Sequence, residues 1–524
     1  MSTTTPCLSV RLGDVHRPSL RAELAEAFTA LPDAIVELRC EGWAGDLPAA
    51  LAALCAWQPA RRWLVTCRAT GELPRGAKGA ARAAQATAYG AALALGCGHV
   101  DVDAGALAAD AELRQRLNRR PAATKLIVSR HAYEGVPSLE AARRWHAQAR
   151  AAGADAFKLA VPASPLRLAF GLWQWARRTD GPPVALVLMG EGGGWSRLLA
   201  DLGPVPAPLT YLRLEGTAAT AAGQPSWRQY REASSPPPAA GPLPLYGVLG
   251  RPLGHSLSPA LHHRVLRHLG QPGRYLPFAM ADRADAAFLL AEAAPALHLR
   301  GLSVTLPYKA TALGAARRAS AAARWAAASN TLVTSGRGPL AWRADNTDVS
   351  ALVQRLSAMR PAGLGGRRVA VLGAGGVARA AVVALRALAA RPVVFARRPA
   401  AARQLARHCS VEHAPWPKHP GDWSRCDGVI QCTPVGMAPD VEAMPLPPAM
   451  LRALAPSAFV LDTIYRPAQS QWLTLARELH LQAEGGLPMF AAQAMGQCRH
   501  FYGRSPDGPW VLEQIQSLQV MLTY

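Results

Sequence analysis

Lysine is almost missing from this chain. Of 57 basic residues in 524, only Lys78, Lys125, Lys158, Lys309 and Lys418 are lysines, and the other 52 are arginines. A guanidinium stays protonated, whereas an amine can give up its proton when its surroundings disfavour charge. A lysine that survives in such a sequence is therefore enriched for work that needs a neutral amine. Paired cysteines are missing as well. The nine, at Cys7, Cys40, Cys55, Cys67, Cys97, Cys409, Cys426, Cys432 and Cys498, form no CxxC pair and no His/Cys cluster at metal spacing. That pattern excludes a zinc site or a disulfide scaffold and predicts reduced thiols in a cytoplasmic protein without metal. No apolar run is long enough to span a bilayer, and the start, MSTTTPCLSVRLG, lacks the basic opening and apolar core of a signal peptide. No membrane partner is expected.

Acidic residues are also few, 35 against 57 basic, for a formal charge of +22. Clustered cations would gain affinity for nucleic acid by releasing counterions. Here the arginines are spread through nearly every segment, with no basic tail and no interleaved aromatic platform. The charge reads as a compositional bias, with anionic small substrates as the second explanation and no nucleic-acid partner. Oligomeric state stays open.

Proline, in contrast, is concentrated in one place. Ser234 to Leu245, SSPPPAAGPLPL, holds five prolines and no charge. Proline fixes φ and removes a backbone donor, so the run favours extended chain and marks a boundary. A chain of this length suggests two to four domains. The reading is a first domain over 1–233, a linker over 234–245 and a second half beyond it.

In the first half, short β-type runs alternate with Ala/Leu/Arg-rich helical stretches: Cys7 to Leu12, Ala34 to Arg39, Trp63 to Arg68, His99 to Asp103, Lys125 to His131, Asp155 to Ala160, Val184 to Gly190 and Leu209 to Leu214. Eight such units predict an α/β fold, a (β/α)8 TIM barrel, with an open doubly wound sheet as the alternative. Barrel chemistry sits at the C-terminal strand ends. There fall Glu37, Arg39, Arg68, Asp103, His131 and Lys158, followed by Arg197 and Gln224. A lone His or Arg is usually a structural polar group, but eight on one face are not. Lys158 lies in an otherwise apolar strand, DAFKLAV, that disfavours the charged amine and exposes a nucleophile for a ketone. His131 adds a proton shuttle expected to titrate near neutral pH.

Six ordered motifs, ELRCE at Glu37, VTCRATGE at Val65, IVSRHAYEGVPS at Ile127, GADAFKLA at Gly153, MGEGGGWSR at Met189 and AAGQPS at Ala221, resemble type I 3-dehydroquinate dehydratase. The resemblance covers about residues 6 to 230. It implies that Lys158 forms a Schiff base with the substrate ketone and that His131 moves protons, oriented by Glu72. It implies further that Arg39, Arg68, Arg197, Gln224 and Glu37 hold hydroxyls and carboxylate. Two departures stand out: Glu72-Leu73-Pro74 replaces Glu-Gly-Gly, and Thr220 replaces the serine of Ser-Ala-Pro-Gly-Gln.

The second half opens on LYGVLGRPLGHSLSPALHHRVL. Ser256 and Ser258 before a helical run read first as an N-cap and second as donors to a carboxylate. Lys309 follows the β-run GLSVTLPYK, and Asp348 lies in ADNTD. The two form either a surface ion pair or, in a cleft, a proton-transfer pair. From Arg367, a strand (Val369 to Leu372) runs into Gly373-x-Gly375-Gly376-x-Ala378 and a helix, a dinucleotide fingerprint in its proper context. After the partner strand PVVFA come Arg397 and Arg398 in place of the usual acid, which predicts NADP(H). Further strands are expected at Gly428 to Cys432 and Phe459 to Thr463.

The set GHSLSP, SVTLPYK, SNT, DNTD, GAGGVAR, CTPVGM, DTIYRP and GLPMFAAQA resembles shikimate dehydrogenase over 245 to 524. The resemblance implies proton transfer by Lys309 and Asp348, carboxylate binding by Ser256 and Ser258 near Tyr465, and ring-hydroxyl contacts from Thr305, Asn330 and Gln493. Gly373, Gly375, Gly376, Val377, Ala378, Arg397, Arg398, Thr433 and Met437 would line the NADP(H) site. Expected limits are 246–345 for a substrate domain, 346–485 for a Rossmann domain and 486–524 for C-terminal helices returning to the substrate domain. Ser303 and Gln431 stand where the family has asparagine, and the first leaves quinate as an alternative substrate. A chain with one catalytic half and one scaffold half is the rival reading.

Overall fold

The computed structural model describes residues 4–68, 78–217, 223–234, 242–254, 256–334 and 341–521. Glu72, Thr220 and most of the proline-rich stretch, residues 235–241, lie outside the described residues. Contacts divide the chain into two compact units. One runs to Ser234 and includes Pro277–Phe288; the other holds the remainder from Ser235.

The first unit is built on β1 (Thr5–Arg11), β2 (Ile35–Arg39), β3 (Trp63–Thr66), β4 (His99–Asp103), β5 (Lys125–His131), β6 (Ala156–Pro162), β7 (Val184–Met189) and β8 (Leu209–Arg213). Their order is β7-β6-β5-β4-β3-β2-β1-β8, so each strand pairs with its sequence neighbour and β8 returns to β1. The ladders that join them are parallel. This is the nearly closed (β/α)8 barrel, not the open doubly wound sheet. Cys7, Ile35, Leu64, Ile127, Ala156, Ala185, Leu209 and Tyr211 pack together as one buried cluster contributed by the strands.

Two sheets organise the second unit. The first contains β9 (Leu245–Gly250), β10 (Arg274–Ala279), β11 (Leu299–Val304), β12 (Arg318–Ala319), β13 (Thr331–Thr334) and β14 (Trp342–Asp345), ordered β10-β9-β11-β13-β14-β12. The second contains β15 (Arg368–Leu372), β16 (Arg391–Phe395), β17 (Glu412–Ala414), β18 (Gly428–Gln431), β19 (Phe459–Asp462) and β20 (Gln482–Glu484), all parallel in the order β17-β16-β15-β18-β19-β20. Alternation along β15 sends Val369 and Val371 into one buried cluster and Ala370 and Leu372 into the other, so both faces are covered. Strand order reverses at β15, and an open α/β sheet binds ligands at such a switch point. No helix among the described residues is long and apolar enough to cross a membrane.

Candidate active sites

In the barrel, several strands converge on one ammonium. Lys158, 3% exposed, donates through Nζ to Glu37 Oε1 at 3.0 Å and Asp101 Oδ2 at 2.9 Å, and lies 3.8 Å from the Tyr211 ring centre. Register explains the gathering: Ser9 stands beside Glu37, and Thr66 beside Asp101. Glu37 also accepts from Ser9 Oγ at 2.5 Å and Thr66 Oγ1 at 3.1 Å. Burial raises the Glu37 pKa, but Lys158, Arg39, Arg68 and the Ser9 hydroxyl outweigh it and hold the carboxyl well below its ordinary range.

This corrects the sequence reading in two ways. The amine does not sit in purely apolar surroundings, because β2 and β4 bring carboxylates to it. The acid on β4 is Asp101 and not Asp103. Asp103 caps helix Ala104–Ala109, accepting from Gly105 N and Ala106 N at 2.8 and 3.3 Å. The signal for Asp101 was present in HVDVD, where two acids two residues apart share a strand face.

His131 ends β5 and stacks on Tyr133, with centroids 5.8 Å apart and planes 17° apart. Burial lowers its pKa to about 2, and Arg68 and Lys158 push the same way. The resting imidazole is therefore neutral, not poised near neutral pH as the bare residue type predicts. Arg39 is paired with Glu41, a partner the sequence did not single out. Arg68 Nη1 donates to the Tyr133 hydroxyl at 3.5 Å.

Arg197, 2% exposed, donates through Nη1 to Leu188 O at 3.0 Å and Gly223 O at 3.4 Å, while Nε and Nη2 have no partner among the described residues. Burial lowers its pKa to about 10. A buried guanidinium with N–H groups to spare suits a carboxylate. Gln224 is buried beside Gly223, whose φ is +71° and whose missing Cβ would fall 2.0 Å from Gly190 O. Only glycine lets the segments after β7 and β8 meet there.

In the second unit, Lys309 Nζ donates to Asp348 Oδ2 at 2.6 Å, and the residues are 8% and 5% exposed. The surface-pair alternative is excluded by that burial. Lys309 opens helix Lys309–Ala315, and Asp348 sits in the first turn of helix Thr347–Met359. Asn330 Nδ2 donates to Asp348 Oδ1 at 2.9 Å and Thr347 Oγ1 at 3.0 Å, and reaches Gln493 Oε1 at 3.4 Å. Ser303 supports this network from beneath. It accepts from Tyr275 OH at 2.6 Å and donates to Gln497 Oε1 at 2.7 Å, and Gln497 Nε2 donates to Asn330 O at 3.1 Å. Gln497 was not foreseen.

Thr305 follows β11 and bonds through its backbone N–H to Leu249 O at 2.8 Å. Tyr465 stacks on Phe490 at 4.6 Å. Helix Ser258–His268 has Leu257 at its N-cap and no side-chain cap, and Ser256 Oγ accepts from Ser258 N at 3.4 Å. The N-cap that serine spacing favours does not form, because Leu257 occupies that position.

The glycine motif follows β15 as expected. Gly373 has φ +115°, with its missing Cβ 3.2 Å from Cys432 O. Gly375 caps helix Gly376–Ala387, and a Cβ there would meet nothing, leaving space above the helix N-terminus. Val377 is half-buried and Ala378 buried. Arg397 and Arg398 are both exposed, and neither guanidinium has a hydrogen-bond or ion-pair partner among the described residues. Gln431 holds the next loop: its Nε2 donates to Thr433 O at 3.2 Å and Val435 O at 3.1 Å, and Oε1 accepts from Thr433 N at 2.8 Å. Met437 beyond it is 42% exposed. An open helix N-terminus with free cations at the neighbouring strand end fits a dinucleotide carrying an extra phosphate.

Residues 7–235 match the family model for type I 3-dehydroquinase, and residues 248–332 that for the shikimate dehydrogenase substrate binding domain. The shikimate dehydrogenase (NADP(+)) of Pelobacter propionicus is 36% identical over 265 residues, covering 50% of this chain and 91% of that protein. A shikimate 5-dehydrogenase from Thermus thermophilus, solved with NADP(H) and shikimate, is 31% identical with a TM-score of 0.46 over 52% of this chain and 98% of its own. A dehydroquinate dehydratase and shikimate dehydrogenase from S. pombe is 22% identical with a TM-score of 0.43, covering 98% of both chains. With 91% of an NADP-dependent relative matched by the second half and the type I model matched by the first, the chain belongs to the shikimate dehydrogenase family and carries a type I 3-dehydroquinase domain ahead of it.

Proposed function

We propose that this bifunctional enzyme dehydrates 3-dehydroquinate to 3-dehydroshikimate in its first half and reduces that product to shikimate with NADPH in its second. The observation that carries the reading is where lysine survives. Of the four lysines whose side chains are described, Lys158 and Lys309 are buried, and each bonds a buried carboxylate. Lys125 and Lys418 are exposed. The domain limits are 1–233, 246–345, 346–485 and 486–524, joined by the 234–245 linker. Both activities belong to the cytoplasm, where thiols stay reduced.

In the barrel, Lys158 forms an imine with the ketone, which acidifies the adjacent C–H. Neutral His131 accepts that proton and returns it to the departing hydroxyl as water leaves, with Glu72 orienting the ring. Arg197 takes the carboxylate, while Arg39, Arg68, Thr220, Gln224 and Glu37 hold hydroxyls. In the second half, Ser256 and Ser258 bind the substrate carboxylate near Tyr465, and Thr305, Asn330 and Gln493 hold ring hydroxyls. Lys309 and Asp348 supply the proton to the ketone oxygen. Gly373, Gly375, Gly376, Val377, Ala378, Thr433 and Met437 hold NADPH, with Arg397 and Arg398 on its 2′-phosphate; bound there, it supplies hydride.

Borohydride added with 3-dehydroquinate should fix substrate mass on the peptide containing Lys158. No adduct there sinks the imine. In parallel, Lys309→Ala should abolish NADPH oxidation with 3-dehydroshikimate while dehydration continues, and unchanged oxidation sinks the second assignment.

A further inference from the structure

Lys158 cannot attack a ketone as an ammonium, because the nitrogen then has no free electron pair. Some group must remove a proton first. Two carboxylates lie within reach, Glu37 Oε1 at 3.0 Å and Asp101 Oδ2 at 2.9 Å, and their surroundings differ.

Glu37 keeps hydrogen bonds from Ser9 and Thr66 whatever happens to Lys158, and the Arg39 and Arg68 charges act on it as well. Those contacts favour its ionised form independently of the lysine charge. Asp101 shares the Arg39 charge but, among the described residues, has no hydroxyl donating to its carboxylate. Its residue is 1% exposed, Lys158 donates to its Oδ2, and its buried Oδ1 has no partner among the described residues. Once the amine is neutral, an ionised Asp101 would be a buried, unpaired charge, a state that desolvation strongly disfavours. A proton on Asp101 removes that cost.

We propose that Asp101 is the catalytic base that takes the proton from Lys158 Nζ as the amine attacks the substrate ketone. The proposal rests on the reading of Lys158 as the imine-forming residue. In the step, one Nζ–H bond breaks, an O–H bond forms on Asp101 Oδ2, the freed nitrogen pair forms the C–N bond, and the ketone π pair moves to its oxygen, which takes a second proton from the nitrogen to give the carbinolamine. The Asp101 proton then leaves with that oxygen as water, so the protonated imine is left facing the Asp101 carboxylate. His131 is then left to serve the adjacent C–H. The groups facing Asp101 are Lys158 on β6, Glu37 and Arg39 on β2, Cys7 on β1, Tyr211 on β8 and Tyr89 on helix Lys78–Ala94, whose hydroxyl donates to Asp101 O at 2.8 Å.

The test is Asp101→Asn in the full chain, which keeps an acceptor for Lys158 but cannot take its proton. The rate of borohydride-trappable adduct on the Lys158 peptide is measured by rapid quench with 3-dehydroquinate, between about pH 6 and pH 9. Wild type must trap; if it does not, the imine reading itself fails. If it does, the variant should form adduct about 100-fold more slowly or worse at neutral pH, the usual scale of a lost acid–base group. Its rate should climb about tenfold per pH unit, as expected when hydroxide must remove the proton. Trapping by the variant at the wild-type rate and with the wild-type pH profile overturns the proposal and leaves the imine intact. Should the asparagine variant not accumulate folded, Asp101→Glu carries the test. It retains a carboxylate and should keep the wild-type pH profile at a lower rate, and a hydroxide-dependent slope in it overturns the proposal equally.

Discussion

The Lys309 side chain crosses directly over the backbone of Gly376: a Cβ on that glycine would stand 2.7 Å from Lys309 Cδ. The residue that opens the dinucleotide helix thus makes room for the lysine bonded to Asp348. Its φ is not in the left-handed region, so space and not backbone conformation is what demands glycine.

Gly376→Ala should therefore damage chemistry without weakening the fold. Alanine is the better helix former by up to about 1 kcal/mol. The displaced Lys309 would lose its alignment with Asp348, and a misplacement of this kind costs on the order of 100-fold in rate. The expected outcome is NADPH oxidation reduced by about that factor with dehydration of 3-dehydroquinate and the melting transition unchanged. Kinetics of both reactions on one preparation check it.

Arg397 and Arg398 stand free after β16, where β16 pairs with the strand that leads into Gly373. Replacing both with serine should raise the KM for NADPH by about 10-fold to 100-fold, the range for losing charge-assisted hydrogen bonds of about 1.5–3 kcal/mol. KM for NADH should hardly move, since it lacks the 2′-phosphate. Equal effects on both coenzymes would show that the pair does not read that group.

His262 and His263 make the second unit sensitive to acid. His262 stacks on Tyr275 at 4.2 Å, and His263 Nε2 accepts from Tyr275 N at 3.0 Å, a bond that the protonated ring cannot make. Burial lowers both to about 3, with His262, Arg267 and Arg274 adding to the effect on His263. Unfolded, each histidine titrates near its ordinary value, about 6.5. Above that pH both states are neutral and nothing is gained or lost. As pH falls from there toward about 3, the unfolded chain binds protons the folded chain refuses, and stability drops by at most about 1.4 kcal/mol per pH unit for each ring. Urea midpoints should fall over that window, and His263→Gln, which accepts but does not titrate, should flatten the slope.

Much of the architecture was legible in the residues. The eight barrel strands appear within a few residues of where alternating β-type and helical composition puts them, and His99–Asp103 and Lys125–His131 match fully. The strand, glycine turn and helix of the dinucleotide motif follow likewise, because period-2 and period-3.6 patterns and glycine geometry are local properties. Scarcity made the two lysines visible for the same reason: it can be counted along the chain.

What pairs with those lysines was not legible in that way. Glu37 and Asp101 lie 121 and 57 positions from Lys158, and the barrel alone makes them neighbours. Asp103, nearer the strand end, looked the better acid, but the next residues form a helix whose free N–H groups it satisfies. His131 looked like a group titrating near neutrality until folding surrounded it with Arg68, Lys158 and apolar bulk. The sequence by itself determined the elements, their order and the residue types available for chemistry. Tertiary structure decided which of them carry charge, because protonation depends on desolvation and on neighbours a few ångströms away, and chain closure between distant strands sets both.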